Sequence, residues 1–250
     1  MQILAEAEEL PKATNIKTQL VALWIAAASA LILLIAFIAF PGFWPPMSPQ
    51  LTADQVASFY RNHTAWIRFS MVTFNLCGIM LLPFFCVIVV QMKRMASQSQ
   101  AFAYCYLSAV VSGATLFALA DIFYAVAAFR PERDPDLIML LNDLGWMVFI
   151  APVGMIVAQN LMLALAVYHD THVRGPNPVF PRWVGHLSLL TLFAMVPSAC
   201  AVVMTDGPLA WDGAVSFWLR NGAFATFAIV MFFVVRAAIH RQAFEEGVAR

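Results

Sequence analysis

Residues 21–40, VALWIAAASALILLIAFIAF, form a run of twenty positions without a charged side chain. A helix needs about 20 mostly apolar residues to cross the hydrocarbon core of a bilayer, so this run predicts a membrane span. The segment before it is acidic, and the Pro41-Gly42 turn after it offers no cleavage site, so it does not have the form of a signal peptide. We therefore predict a retained transmembrane helix.

The rest of the chain has the same character. Of its 250 residues 62% are hydrophobic and 11% charged, whereas soluble proteins carry about 25% charged residues. Strand-like alternation is absent, and prolines at 83, 152 and 197 predict kinks within three of the spans. The predicted fold class is an all-α membrane protein, a six-transmembrane-helix bundle with a short external amphipathic helix. The predicted spans are residues 18–40, 66–91, 102–129, 137–168, 183–205 and 209–240.

Basic residues near the span ends favour one orientation, because cytoplasmic loops are enriched in Lys and Arg. An even number of spans places both termini on one side. That side holds Lys12, Lys17, Lys93, Arg94, Arg174, Arg182, Arg236, Arg241 and Arg250, against Arg61, Arg68, Arg130, Arg133 and Arg220 on the other. We predict a multi-pass protein of the inner (plasma) membrane with both termini cytoplasmic. Its parts are a tail over 1–17, the transmembrane domain over 18–240 and a tail over 241–250.

The predicted external loop, residues 41–65, has its own structural signals. Residues 41–46, PGFWPP, form a stiff aromatic turn that cannot be helical. Thr52 and Gln55 have the spacing of a capping box, which begins a short amphipathic helix with Tyr60 on its apolar side. Such a helix either lies along the membrane surface or packs on the bundle as a lid.

The next external loop also carries a helix start, with Asp134 as N-cap and Pro135 at the first helical position. Here the sequence resembles a group of largely uncharacterised bacterial polytopic integral membrane proteins. The similar stretches are FRPERDPD (129–136), LNDLGW (141–146), PVFPRWVG (178–185) and GPLAWDG (207–213). The resemblance implies a shared fold and brings no activity and no functional residues.

Polar side chains within the predicted spans are unusual, since an ionised group near the membrane centre costs at least about 2.5–3.5 kcal/mol. One set is predicted to share a layer in the outer third of the membrane: Asp121, Asn142, Asp143, Arg220, Asn221, Arg68 and Asn75. In one interpretation Arg220 pairs with Asp121 or Asp143, directly or through water, and the asparagines bond across helices. In the other, the layer lines a water-filled cavity that binds a polar or anionic group through Arg220.

Four histidines lie at the predicted cytoplasmic ends of spans: His169, His172, His186 and His240. Imidazole suits Zn, Cu or Fe, so a metal or a haem is one hypothesis. Their spacing matches no metal motif, and histidines are ordinary residues at a membrane boundary, so no cofactor is predicted. Gln159 and Asn160, in the middle of span four, are predicted to make interhelical hydrogen bonds.

The sequence limits function mainly by exclusion. A formal net charge of zero argues against nucleic-acid binding, and nucleotide-binding and serine-hydrolase motifs are absent. Three classes stay open. The preferred one is a non-catalytic accessory or scaffold subunit that holds a lipid or another apolar molecule, with the bilayer, other membrane subunits or a second copy as partners. The others are a channel or transporter using Asp121, Asp143 and Arg220, and a membrane oxidoreductase or metal enzyme built on the histidines.

Overall fold

The computed structural model describes residues 2–95, 100–170 and 178–248, with side chains from residue 15 onward. Within these residues the chain is helical, and no strand is formed. A 3₁₀ helix, Val196–Val202, continues α7, and a π-helical segment, Ala214–Leu219, leads into α8. The α-helices are α1 (Gln2–Ala39), α2 (Ala53–Ile79), α3 (Leu82–Met92), α4 (Ala101–Phe129), α5 (Pro135–Ile150), α6 (Gly154–His169), α7 (Trp183–Met195) and α8 (Arg220–Glu245).

These helices form six segments that are long and apolar enough to cross a membrane, which confirms the predicted all-α six-helix fold. Large apolar side chains such as Ile38, Leu76 and Phe193 lie exposed on the outside of the bundle, where lipid would cover them. The helices also extend past the predicted span ends. α1 begins at Gln2, within the predicted tail, and α8 continues to Glu245.

The predicted proline interruptions are confirmed at all three positions. α2 ends at Ile79 and α3 restarts with Pro83 in its first turn, while α5 ends at Ile150 and α6 restarts at Gly154, after Pro152. At Pro197 the backbone changes from α-helix to 3₁₀ helix. Proline has no N–H and its ring clashes with the preceding turn, so each break leaves backbone carbonyls without their usual helical partners.

The predicted external helix is the first part of α2 and not a separate element. The Thr52–Gln55 capping box that begins it is present, and the chain continues across a kink at His63 (φ −119°, ψ 16°) into the membrane segment. Val56, Ala57 and Tyr60 on its apolar side are buried against the bundle. This segment, residues 53–62, therefore packs as a lid, and we call it the lid segment.

The core divides into two halves along the bundle. The proximal half lies beside the chain ends and is built around residues such as Leu23, Ile88 and Val235. The distal half lies beneath the lid segment and is rich in aromatic rings. Phe43, from the 41–46 turn, is 1% exposed, and its ring centroid lies 4.8 Å from that of Trp146 and 5.7 Å from that of Tyr124. A loop side chain thus closes the distal end.

Candidate functional site

Five polar side chains from three helices come together in the distal half. α4 provides Asp121 and Tyr124, which share a face at i and i+3. α5 provides Asn142 and Asp143, and the lid segment provides Tyr60. The ring of Tyr124 packs against α5 at Gly145, two residues beyond Asp143. We call these five residues the distal polar cluster.

Hydrogen bonds connect the lid segment to this cluster. The Tyr60 hydroxyl donates to Asn142 Oδ1 over 3.2 Å, and Asn142 Nδ2 donates to Asp143 Oδ1 over 3.4 Å. Tyr60 and Asn142 are buried, whereas Asp143 is half-buried. Of these three hydrogen-bonded residues, Asp143 is therefore the one nearest to the surface of the bundle.

Asp121 is the member of the cluster without a compensating partner. It is 3% exposed, and it makes no hydrogen bond or ion pair within residues 15–95, 100–170 and 178–248. Its Oδ2 is fully buried and unpartnered in this part of the chain, and so is the nearby Tyr124 hydroxyl. A buried carboxyl group with no base beside it is the least satisfied group of the site.

Gly145 explains how Tyr124 can lie so close to α5. A Cβ atom at Gly145 would lie 2.5 Å from Tyr124 Cε1, far inside van der Waals contact. Rings of Phe40, Phe43 and Trp146 surround Tyr124 on its other sides. The missing side chain at Gly145 thus allows the hydroxyl of Tyr124 to reach the cluster.

Arg220 is buried in the bundle as predicted, at 8% exposed, and it makes no direct ion pair with Asp121 or Asp143, while the predicted water-mediated contact stays a prediction. Its Nη2 donates to the backbone oxygen of Phe149 over 2.7 Å, and its Nη1 donates to Asn221 Oδ1 over 3.3 Å. Phe149 lies in the last turn of α5, where the break at Pro152 leaves carbonyls free. The arginine therefore caps a helix end instead of neutralising an acid.

Two further members of the predicted layer do not join it. Arg68 is exposed and donates to the backbone oxygens of Ala128 and Phe129, so it caps the end of α4. Asn75 is exposed on α2, on the side facing away from the bundle. The sequence places residues by depth along a helix, whereas their direction around the helix separates these two from the cluster.

A polar network in the proximal half was not foreseen from the sequence. Gln91 Nε2 donates to Gln19 Oε1 over 2.7 Å and to Gln242 Oε1 over 2.9 Å, joining α1, α3 and α8. Arg94 donates to Gln91 Oε1 and forms a 2.7 Å ion pair with Glu245. The sequence feature that could have predicted this network is the presence of one glutamine near the proximal end of each of three spans.

The ionisable group of this network that lies outside the membrane spans is the guanidinium of Arg94. Burial lowers the pKa of the Arg94 guanidinium, while the carboxylates of Glu245 and Glu246 act in the opposite direction. The arginine stays charged at neutral pH because a guanidinium titrates far above it. The ion pair with Glu245 and the bonds of Gln91 together join α3 and the segment after it to α1 and α8.

The histidines do not assemble a metal centre in the described part of the chain. His169 Nδ1 lies 2.9 Å from the Leu165 oxygen of its own helix, and His186 Nδ1 lies 2.8 Å from the Tyr168 hydroxyl. His240 is exposed, and His172 lies outside the described residues. Among the described residues no three potential ligands of the His, Cys, Asp and Glu types converge.

The amides of span four behave differently from one another. Gln159 Nε2 donates to the Tyr106 hydroxyl on α4 over 3.4 Å, which confirms the predicted interhelical bond. Asn160 Nδ2 donates instead to the Ile156 oxygen on its own helix, so the prediction for Asn160 is wrong. A short side chain reaches its own preceding turn more easily than a neighbouring helix.

A groove of about 580 Å³ runs between α4 and α6, next to the break at Pro152. Its walls are small or apolar, and include Ser108, Ala109, Gly154 and Ala158. Gly154 is exposed, so the groove opens on the outside of the bundle, where lipid lies. Its volume lies within the roughly 300–1,000 Å³ typical of small-molecule sites.

Comparison with known proteins adds no further constraint: no family model matches the chain, and neither the curated proteins nor the solved structures contain a significant match. The resemblance to bacterial polytopic membrane proteins stays a prediction.

Proposed function

We propose that this multi-pass membrane protein is a channel or transporter and that the distal polar cluster lies on its transport path. The observation that carries the proposal is Asp121, a buried acid with no base beside it in the described chain. An ionisable residue within a membrane span costs free energy, so its presence there indicates a purpose such as an ion or substrate pathway.

Packing alone gives a weaker account of the cluster. The predicted structural role of Asp121 and Asp143 was to neutralise Arg220, and that base is bonded to the end of α5 instead. In the proximal network, the side-chain polar atoms of Gln19, Gln91 and Gln242 are all hydrogen-bonded. The distal polar cluster, by contrast, keeps Asp121 Oδ2 and the Tyr124 hydroxyl unpartnered among the described residues.

Interrupted helices favour the same class. Four of the six membrane segments change helix type or break: α2–α3, α5–α6, α7 with its 3₁₀ end and α8 with its π-helical start. Transporters commonly build their sites from discontinuous helices, whose ends offer free backbone groups. Arg220 of α8 donates to a free carbonyl at one of these ends, the last turn of α5.

The orientation belongs to the proposal as well. The excess of basic residues on the side of the chain ends supports cytoplasmic termini in an inner (plasma) membrane. The lid segment would then face the outside, and the distal polar cluster would be reached from there.

Thiol labelling tests whether water reaches the cluster. With Cys77, Cys86, Cys105 and Cys200 replaced, Asn142→Cys should react with a membrane-impermeant thiol reagent in intact cells. Leu144→Cys, two residues away and exposed toward lipid, is the matched control and should stay unlabelled. An unreactive Asn142→Cys in protein that is folded and inserted would overturn the transport proposal.

The groove between α4 and α6 supports a second candidate, an accessory subunit that holds a lipid or another apolar molecule. Its volume and its small apolar walls suit an acyl chain better than a polar solute. Ala158→Leu would fill the groove. We expect native mass spectrometry in mild detergent to show a lipid bound to the wild type and lost from this variant. Equal lipid retention by both proteins would contradict this candidate.

A further inference from the structure

We infer that Asp121 is a proton-binding residue, which exchanges its proton with the distal side of the membrane through the other members of the distal polar cluster. This inference rests on the proposed transport function and identifies the ion that the site handles. The step involves O–H bonds alone: the carboxyl group of Asp121 releases a proton to a neighbouring oxygen and regains one from it.

Surroundings of Asp121 favour a proton over a metal cation. Ca²⁺ takes about 6–8 oxygen ligands and Mg²⁺ about six in a strict octahedron. Near Asp121 the cluster offers few free oxygens, because Asn142 Oδ1 already accepts from Tyr60 and one Asp143 oxygen accepts from Asn142. A proton needs one carboxylate oxygen, which Asp121 Oδ2 provides.

An anion is also disfavoured, since the charged groups that face the cluster are acids. α5 contributes Asp143, and the lid segment and α4 contribute the hydroxyls of Tyr60 and Tyr124. Each of the nearby arginines donates to a backbone oxygen: Arg68 and Arg133 to oxygens of α4, and Arg220 to that of Phe149, with the Arg220 Nε left unpartnered among the described residues. α3 and α6, which also pack on α4, present the amides of Gln91 and Gln159 to other partners.

Burial explains why protonation matters at this position. A carboxylate without a base is strongly disfavoured in a low-dielectric interior, whereas the neutral acid is tolerated. Release of the proton is therefore coupled to a change in surroundings, such as the entry of water or a shift of the lid segment. That coupling is what a proton-driven transporter requires.

The route toward the surface follows the geometry of the cluster. Tyr124 lies one helical turn from Asp121 on the distal side of α4, and its hydroxyl has no hydrogen-bond partner in the described chain. Asp143 is half-buried, accepts from Asn142, and precedes by two residues Gly145, against which the Tyr124 ring packs. A proton passing from Asp121 by way of Tyr124 would thus reach Asp143 and then water.

Infrared difference spectroscopy on the full protein in liposomes tests the inference. Changing the pH of the medium should change a carboxylic C=O band that is lost in Asp121→Asn and shifted in Asp121→Glu. Replacing H₂O by D₂O should shift the band, and Asp143→Asn should slow this exchange. Asp206→Asn, in an exposed loop, is the matched control and should leave the exchange unchanged.

The outcomes separate the inference from the proposed function. A wild-type spectrum without any band that depends on Asp121, at any pH, would overturn the inference while leaving a labelled Asn142→Cys to support transport. A band that follows Na⁺ concentration at constant pH would also overturn it, in favour of a metal cation. An Asp121 band with an unreactive Asn142→Cys would support proton binding and contradict the open transport path.

Discussion

The guanidinium of Arg220 donates a 2.7 Å hydrogen bond to the backbone oxygen of Phe149, one residue before the end of α5. The last carbonyls of a helix carry partial negative charge, so a cation there is stabilised without any acid. The Ser198 hydroxyl approaches the next carbonyl, that of Ile150, at 3.5 Å. Two side chains thus donate hydrogen bonds to carbonyl groups that the break at Pro152 leaves without helical partners.

Replacing Arg220 should reveal this capping role. Because hydrogen bonds to charged groups are worth about 1.5–3 kcal/mol, Arg220→Met should lower the free energy of unfolding by a similar amount. Unfolding in detergent, followed by tryptophan fluorescence, measures it. Combining Arg220→Met with Asp121→Asn should give additive effects within about 0.5 kcal/mol, since no ion pair joins the two. Recovery of stability in the double variant would instead indicate a direct pair.

Gly145 provides a test of the packing beneath Tyr124. Gly145→Ala should destabilise the protein by about 1–3 kcal/mol, because the new methyl group meets a ring that other aromatic residues hold in place. Gly222→Ala on α8 is the matched control, since a Cβ there has no neighbour within 4 Å. Thermal unfolding should give a lower midpoint for Gly145→Ala than for Gly222→Ala. Equal midpoints would contradict the close approach of Tyr124 and α5.

Tyr60→Phe should loosen the lid segment. The change removes the donor to Asn142 and leaves a buried acceptor unsatisfied, at about 1–3 kcal/mol. Hydrogen exchange followed by mass spectrometry should show faster exchange in peptides covering residues 53–62. Tyr104→Phe removes a hydroxyl from a side chain that is 55% exposed and should change nothing. Unchanged exchange in the Tyr60 variant would mean that the lid segment is held by its apolar contacts alone.

The proximal network should depend on Gln91 more than on its ion pair. Interhelical hydrogen bonds in membranes average about 0.6 kcal/mol, so Gln91→Leu, which removes two of them and also the acceptor for Arg94, should cost more than about 1 kcal/mol. Glu245→Gln breaks a partly exposed ion pair and should cost less than about 1 kcal/mol. Chemical unfolding of the two variants gives the comparison, and the reverse order would refute it.

Reporter fusions test the orientation. A fusion after Ser97 should report the cytoplasm, and a fusion after Gln50 the external side, because basic residues concentrate on the side of the chain ends. The opposite pattern would reverse the orientation and would place the distal polar cluster on the cytoplasmic side.

Features that depend only on the local sequence along the chain were predictable. Hydropathy located the six membrane segments, proline positions located their breaks, and the Thr52 and Asp134 caps are formed as the sequence indicates. Depth along each span also predicted that Arg220 lies inside the bundle, as it does. These are properties that a helix expresses locally.

Partner choice was not predictable in the same way. Arg220 and Arg68 could equally have bonded an acid or a backbone oxygen, and depth alone does not distinguish these partners. A proline marks the break that frees carbonyl acceptors at a helix end, but it does not indicate which distant side chain will bond them. The glutamine network was missed for a related reason, since its three members are far apart in the chain and meet through helix packing alone.

The kink at His63 has a mechanical consequence. A cover joined to the bundle by a loop can swing aside while the walls beneath it stay still. Residues 53–62 are instead the outer arm of a bent rod whose inner arm is a wall of the bundle. A rotation of residues 53–62 about His63 would pull Tyr60 away from Asn142. It would also act on the membrane part of α2, as far as the next break at Met80–Leu81. Uncovering the distal end would thus be coupled, through α2, to a movement of the membrane part of the protein.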